Sequence, residues 1–263
     1  MNFPTKTKAI EQIIDIGKRM YIKGFVAAND GNISCKIAPD VIVSTPTLVS
    51  KGFMTEDMMV VMDLDGNILE GTSKPSSEVK MHIRAYKENP EINAVTHAHP
   101  PASSAFAIAG IALDRALMPE AVVNLGPIPV AKYADPGSQE VPDSIAPFVK
   151  DYNGVLLANH GALTWGKDVT DAFYKLESVE YYAKITIYTD FILGKANILS
   201  EEQIKKLFKT KEKLGIKAGG IPPCSKEDTN AKDVLPGQAL FTKQTFEDEL
   251  AEKIAKKVLE KLN

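Results

Sequence analysis

Two histidines, His97 and His99, stand one residue apart at the end of an apolar run from Ile92 to Val95. A third, His160, follows a second apolar run from Val155 to Ala158. A β-strand turns every second side chain to the same face. An H-x-H at a strand end therefore aims two imidazoles at one point. A third imidazole from a neighbouring strand would complete a three-nitrogen set with one position left open, the layout of a catalytic rather than a structural zinc site. The fourth histidine, His82, falls inside a predicted helix over 76–87, one turn beyond Glu78. It reads as a structural or supporting residue, not a ligand.

Ser76-Ser77-Glu78 opens that predicted helix, after Lys74-Pro75. Helix N-termini carry unpaired N–H groups and the positive end of the dipole. Two hydroxyls there make an anion pocket, most naturally for phosphate; simple capping by serine is the plainer alternative. Gly31-Asn32, where glycine permits close backbone approach, and Thr45-Pro46-Thr47, with hydroxyls at a strand end, are two further candidate walls. Together they describe a phosphate held by hydroxyls and backbone amides with no basic cluster. Glu120, in Met118-Pro119-Glu120, is a further carboxylate, readable as a proton carrier or as a surface residue.

These residues need a scaffold. Ile10, Ile13, Ile14 and Gly17 share one face of a predicted helix over 8–21, stopped at Gly24. Ile33–Ile37 and Val41–Ser44 predict one hairpin, and Met59–Leu64 with Ile68-Leu69 a second. Strands are expected over 92–96 and 155–158, and helices over 102–109, 168–193 and 200–213. Strands and helices interleave without regular βαβ spacing. The expected fold is α/β, a mainly antiparallel central sheet with helices packed on its faces.

The 263 residues are 44% hydrophobic, enough for a sizeable core, and the net charge of −3 argues against a nucleic-acid partner. No apolar targeting segment opens the chain and no 18-residue apolar stretch occurs, so a cytoplasmic protein with no membrane partner is expected. Cys35 and Cys224 are far apart and read as ordinary reduced thiols. Residues 1–214 are expected to form the main domain and 215–244, with Gly219-Gly220, Pro222-Pro223 and Pro236-Gly237, a flexible linker. Phe246, Leu250, Ile254, Val258 and Leu262 then recur at four-residue steps, predicting an amphipathic helix over 245–263 that folds back on the protein or docks on another.

Gly31-Asn32-Ile33-Ser34, Thr45-Pro46-Thr47, Pro75-Ser76-Ser77-Glu78, His97-Ala98-His99 and Asn159-His160-Gly161 occur in the order and spacing of the class II aldolase/adducin family. Over roughly residues 8–214 the chain resembles that family, and within it the fuculose-phosphate aldolase group. The resemblance implies a class II aldolase-like fold, one Zn2+ per subunit held by His97, His99 and His160, and Glu78 as the catalytic acid/base. Asn32, Thr47, Ser76 and Ser77 would bind the substrate phosphate, with Gly31 shaping the loop. It implies a homotetramer cleaving a phosphorylated deoxyketose, L-fuculose 1-phosphate or L-rhamnulose 1-phosphate, to dihydroxyacetone phosphate and lactaldehyde. A dehydratase or 4-epimerase acting on methylthioribulose or L-ribulose phosphate, or a non-enzymatic adducin-like module, is the alternative. The epimerases of the family carry aspartate after the paired serines, which Glu78 does not match. Leu48 stands where the fuculose-type loop has glycine, and no tyrosine occurs between Lys205 and Lys217 to match the proton donor of those aldolases. The terminal segment 245–263 resembles the encapsulation peptides of bacterial microcompartment enzymes, which implies a shell-protein partner and a place in the microcompartment lumen.

Overall fold

The computed structural model describes residues 3–216, 219, 220 and 222. Helix α1 spans Lys6–Ile22, capped by Thr5, whose hydroxyl accepts from Lys8 N, and it buries Ile13, Ile16 and Met20. Strands β1 (Asn32–Ala38) and β2 (Val41–Ser44) form the first expected hairpin; β3 (Val60–Asp63) and β4 (Ile68–Glu70) form the second. Helix α2 (Val79–Glu88), strand β5 (Ala94–Ala98) and helix α3 (Pro101–Ala109) follow. Then come β6 (Val130–Ala131), α4 (Glu140–Ile145), β7 (Gly154–Leu157), β8 (Gly161–Gly166), α5 (Val169–Ile187) and α6 (Glu201–Lys213).

Among the described residues, eight strands make one sheet in the order β4-β3-β2-β1-β5-β8-β7-β6. Every neighbouring pair is antiparallel except β6 and β7, which run parallel. The expected α/β fold, a mainly antiparallel sheet with helices on both faces, is therefore the observed one. One face carries Ile33, Cys35, Ala94 and Ala162 and packs against Ile13, Ile16, Phe106, Phe173 and Leu176 of α1, α3 and α5. The other carries Ile42, Val95, Leu163 and Trp165 and packs against Met81, Tyr86, Val141 and Ile145 of α2 and α4.

Three expectations about elements are corrected. The helix expected from Ser76 begins at Val79, so the serines and Glu78 precede it. The strand expected from Ile92 begins at Ala94 and carries His97 within it. The long helix expected to run to Leu193 changes at Tyr188 to a π-helical turn through Ile192. Among the elements not expected at all are β8, the short β6, α4 and a π-helical turn at Ala121–Leu125.

All the described residues fall in one compact unit, Met1–Pro223. Gly219, Gly220 and Pro222 fall inside the expected linker, yet Gly220 N donates to Asp151 O at 2.8 Å and Lys211 Nζ donates to Gly219 O at 3.2 Å. The start of that segment is therefore packed on the domain. The rest of the linker, Cys224 and the 245–263 segment lie outside the described residues. Among those described, no helix is long and apolar enough to cross a membrane.

Candidate active site

The sheet order brings the three histidines together. β5 lies between β1 and β8, with Asn32 opposite His97 on one side and Leu163 opposite it on the other. His97 projects from within β5 and is fully buried. His99 follows one residue past the strand, where Pro100 opens α3. The buried Glu180 carboxylate caps that helix, accepting from Ala102 N at 3.1 Å and Ser103 N at 2.8 Å, which fixes the chain's exit from β5. His160 sits in the tight turn between β7 and β8, after Asn159 at φ +58°. Asparagine tolerates that left-handed conformation better than most residues. A side chain on Gly161 would strike Ala98 O at 2.5 Å and the His99 ring at 2.7 Å, so glycine lets the turn close over β5.

The ring centroids lie 4.7 to 5.0 Å apart, and one nitrogen of each ring lies within 4.8 Å of the others. His97 Nδ1 lies 3.0 Å from Ala162 O, which can only accept, so the proton sits on Nδ1 and Nε2 presents a lone pair. His99 Nδ1 lies 3.2 Å from Asp30 Oδ2, with the same consequence. The two Nε2 atoms then face each other at 3.2 Å, and a Glu78 oxygen stands 3.6 Å from His97 Nε2. Acceptors this close repel one another unless a cation lies among them. Neutral imidazoles beside a carboxylate are a donor set that suits a divalent metal. Burial pushes the His97 imidazole down to about 3 against the pull of Glu78. Burial, with His160 nearby, lowers His99 as well. Both rings are thus kept neutral, the form that ligates.

Glu78 stands at the N-terminus of α2 but does not cap its own helix. Its Oε2 accepts from Asn32 Nδ2 at 2.7 Å, and its Oε1 lies 3.1 Å from His160 Nε2. Burial opposes its charge, but the hydrogen bonds from His160 and Asn32 favour the ionised form, and the carboxyl is held well below the usual range. The dipole of α2 acts in the same direction.

The hydroxyl-rich segments meet beside this cluster. Asn32 Nδ2 also donates to Ser76 Oγ at 3.2 Å, Thr47 N donates to Lys74 O at 2.9 Å, and Pro46 bridges Pro75. A side chain on Gly31, at φ +75°, would meet His97 O at 2.8 Å, so glycine seats this loop against β5. Ser77 is exposed, and Thr47 half-buried. Leu48 has φ +59° and is 80% exposed, so this loop keeps the left-handed conformation that glycine would favour. Asn32 and Ser76 are thus in direct contact, and backbone pairing brings the Thr47 loop to the segment that precedes Ser76. The donor of Asn32 is spent on Glu78 and Ser76 rather than pointing freely outward.

His82 is fully buried, with Nδ1 2.7 Å from Ser34 Oγ, which in turn lies 2.7 Å from Tyr86 OH. Glu78, just before α2, and His82 and Tyr86 on it are spaced i, i+4, i+8, and they contact Asn32 and Ser34 of β1. The sequence reads His82 as a structural or supporting residue and not a ligand, and it lies outside the three-histidine cluster. Glu120 is exposed at the π-helical turn of residues 121–125 and borders a groove lined by none of the three histidines. Sequence reasoning missed Asp30, visible only as a turn residue, and the Ala162 carbonyl, which has no sequence signature.

The profile of the Class II Aldolase and Adducin N-terminal domain matches residues 11–187. An L-fuculose phosphate aldolase of Methanococcus maripaludis is 35% identical over 179 residues, 67% of this chain and 94% of that protein. A 3-oxo-tetronate 4-phosphate decarboxylase of Haemophilus influenzae is 31% identical over 66% of this chain and 85% of its own length. A solved L-fuculose 1-phosphate aldolase superposes with a TM-score of 0.72 at 29% identity, covering 78% of this chain and 96% of the other. The chain belongs to the class II aldolase and adducin family.

Proposed function

We propose that this protein is a zinc-dependent aldolase that cleaves a phosphorylated deoxyketose, L-fuculose 1-phosphate or L-rhamnulose 1-phosphate, to dihydroxyacetone phosphate and lactaldehyde. The observation that carries this reading is the convergence of one nitrogen from each of three imidazoles to within 4.8 Å of one another, with the Glu78 carboxylate facing them. The similarity to L-fuculose phosphate aldolases supports the substrate class. His97, His99 and His160 would hold the ion. Bound there, zinc supplies a Lewis acid that stabilises the negative charge developing on the substrate's carbonyl and hydroxyl oxygens.

The chain's own residues do the rest. Glu78, kept ionised, accepts the proton of the hydroxyl one carbon further on as the bond from that carbon to the carbon beside the carbonyl breaks and its electron pair passes toward the carbonyl, and then returns the proton to the carbon beside the carbonyl. Asn32 holds that carboxylate in place at 2.7 Å. Thr47, Ser76 and Ser77 supply hydroxyls, and the loop at Gly31 a backbone edge, to a phosphate group. His99 and His160 are partly exposed while His97 is fully buried, so substrate reaches the centre from the His99–His160 side.

The protein acts as a homotetramer in this reading. Tyr174, Tyr181 and Tyr188 recur every seven residues and, with Phe191, Ile192 and Leu193, leave an exposed apolar stripe along α5 and its extension that a second subunit would cover. The 245–263 segment would serve as a docking tag for a microcompartment shell protein, and its deletion would abolish shell co-purification while leaving turnover intact.

The similarity to a decarboxylase favours a second reading, loss of CO2 from a phosphorylated 3-oxo acid, which also leaves negative charge beside a carbonyl. A turnover screen separates the two. Metal-loaded protein is offered L-fuculose, L-rhamnulose, L-ribulose and methylthioribulose phosphates and 3-oxo-tetronate 4-phosphate. Release of dihydroxyacetone phosphate from a deoxyketose is the expected result. CO2 release alone, or no turnover of any of them, would overturn the proposal.

A further inference from the structure

Lys51 is 1% exposed and opens a short 3-10 turn just beyond the Thr45–Val49 loop. Its Nζ donates to Val49 O at 2.6 Å and to Asn29 O at 2.9 Å. It thus ties together the two loops that carry Thr47 and Gly31-Asn32. Two of its three N–H groups are used, and no carboxylate among the described residues forms an ion pair with it. The nearest acidic charges act only at longer range: Asp30 is committed to His99, and Glu78 to Asn32 and His160. A buried cation without a paired counter-charge is costly. The side chains lining the candidate phosphate region, Asn32, Thr47, Ser76 and Ser77, are all neutral.

We propose that Lys51 supplies the counter-charge for the substrate's phosphate, acting from behind the loop backbones as a positioning residue for the anion. This rests on the phosphate reading above. The loop carbonyls hold the ammonium in place before the ligand arrives, and a phosphate on the hydroxyl side provides the negative charge that this cation lacks. Burial lowers the Lys51 pKa to about 8, so the ammonium remains charged at neutral pH.

The test titrates inorganic phosphate into full-length, metal-loaded protein by calorimetry, for the wild type and for Lys51→Met, Lys51→Gln and Thr47→Ala. Glutamine can still donate to the loop carbonyls but carries no charge, so it keeps the experiment informative where methionine fails to fold. Lys51→Gln is expected to weaken phosphate binding roughly tenfold or more at unchanged metal content. Thr47→Ala is expected to weaken it too, which locates the anion at the loops rather than on the metal. A Lys51→Gln protein that binds phosphate as the wild type does would leave Lys51 a loop clamp and overturn the inference alone. A wild type that holds metal but binds no phosphate would overturn it together with the phosphate reading.

Discussion

His97 and His82 are equally buried, and burial pushes both imidazoles down to about 3. Each also engages its Nδ1, His97 with Ala162 O and His82 with Ser34 Oγ. They differ in what the second nitrogen meets. Nε2 of His97 faces two further imidazoles and a carboxylate; Nε2 of His82 has no partner among the described residues. Neither burial nor a shifted pKa therefore marks a functional histidine here. Convergence of lone pairs does, and it comes from the sheet order rather than from either residue's immediate surroundings.

That contrast breaks if the two histidines behave alike. His97→Ala is expected to abolish metal binding and lower turnover by about 10^3-fold or more, since several kcal/mol of charge stabilisation leave with the ion. His82→Gln is expected to keep its metal. Metal analysis of both variants decides it, and a metal-free His82→Gln protein would erase the distinction. Glu78→Gln sharpens the same contrast within the site: turnover should fall about 10^2- to 10^4-fold while the ion stays bound. Asp30→Asn should weaken metal affinity about 10- to 100-fold by releasing the His99 ring, measured by competition with a chelator.

Stability against pH probes the other side of the comparison. His82 has a folded-state pKa of about 3, below its ordinary value of 6.5, so the folded chain binds fewer protons than the unfolded chain between those limits. Its contribution is complete above pH 6.5 and is lost as pH falls toward 3. Denaturant unfolding should show the wild type losing about 2 to 3 kcal/mol through this group between pH 6.5 and 4.5. His82→Gln should show a correspondingly flatter profile, although it starts less stable. The smallest effect belongs to the loop. Leu48→Gly should raise stability by about 0.5 to 1 kcal/mol, because glycine adopts the left-handed conformation without the strain leucine bears.

Much of this was legible in the residues. The two hairpins, α1 and α6 announced themselves through periodicity and through the residues at their ends; the structure adds a Ser200–Gln203 capping box at the start of α6. His97, His99 and His160 were legible because strand alternation and apolar runs are local patterns. β8 was not, because all six residues of Gly161–Gly166 are buried, so the segment shows no alternation of apolar and polar side chains. α4 is a single short helix held by packing on α2, which no local pattern encodes. The start of α2 was misplaced because serine is a good cap, whereas here Ser76 Oγ accepts from Asn32 and Glu78 N instead. Asp30 and Lys51 owe their roles to contacts 69 and 22 residues away, so neither could be read from its neighbours.

X-ray absorption at the metal edge of the purified protein tests the central claim most directly. The account predicts one ion per chain, with three imidazole nitrogens at about 2.0–2.1 Å and only nitrogen and oxygen in its inner shell. Sulfur in that shell, or a wild-type spectrum unchanged by His99→Ala, would contradict it.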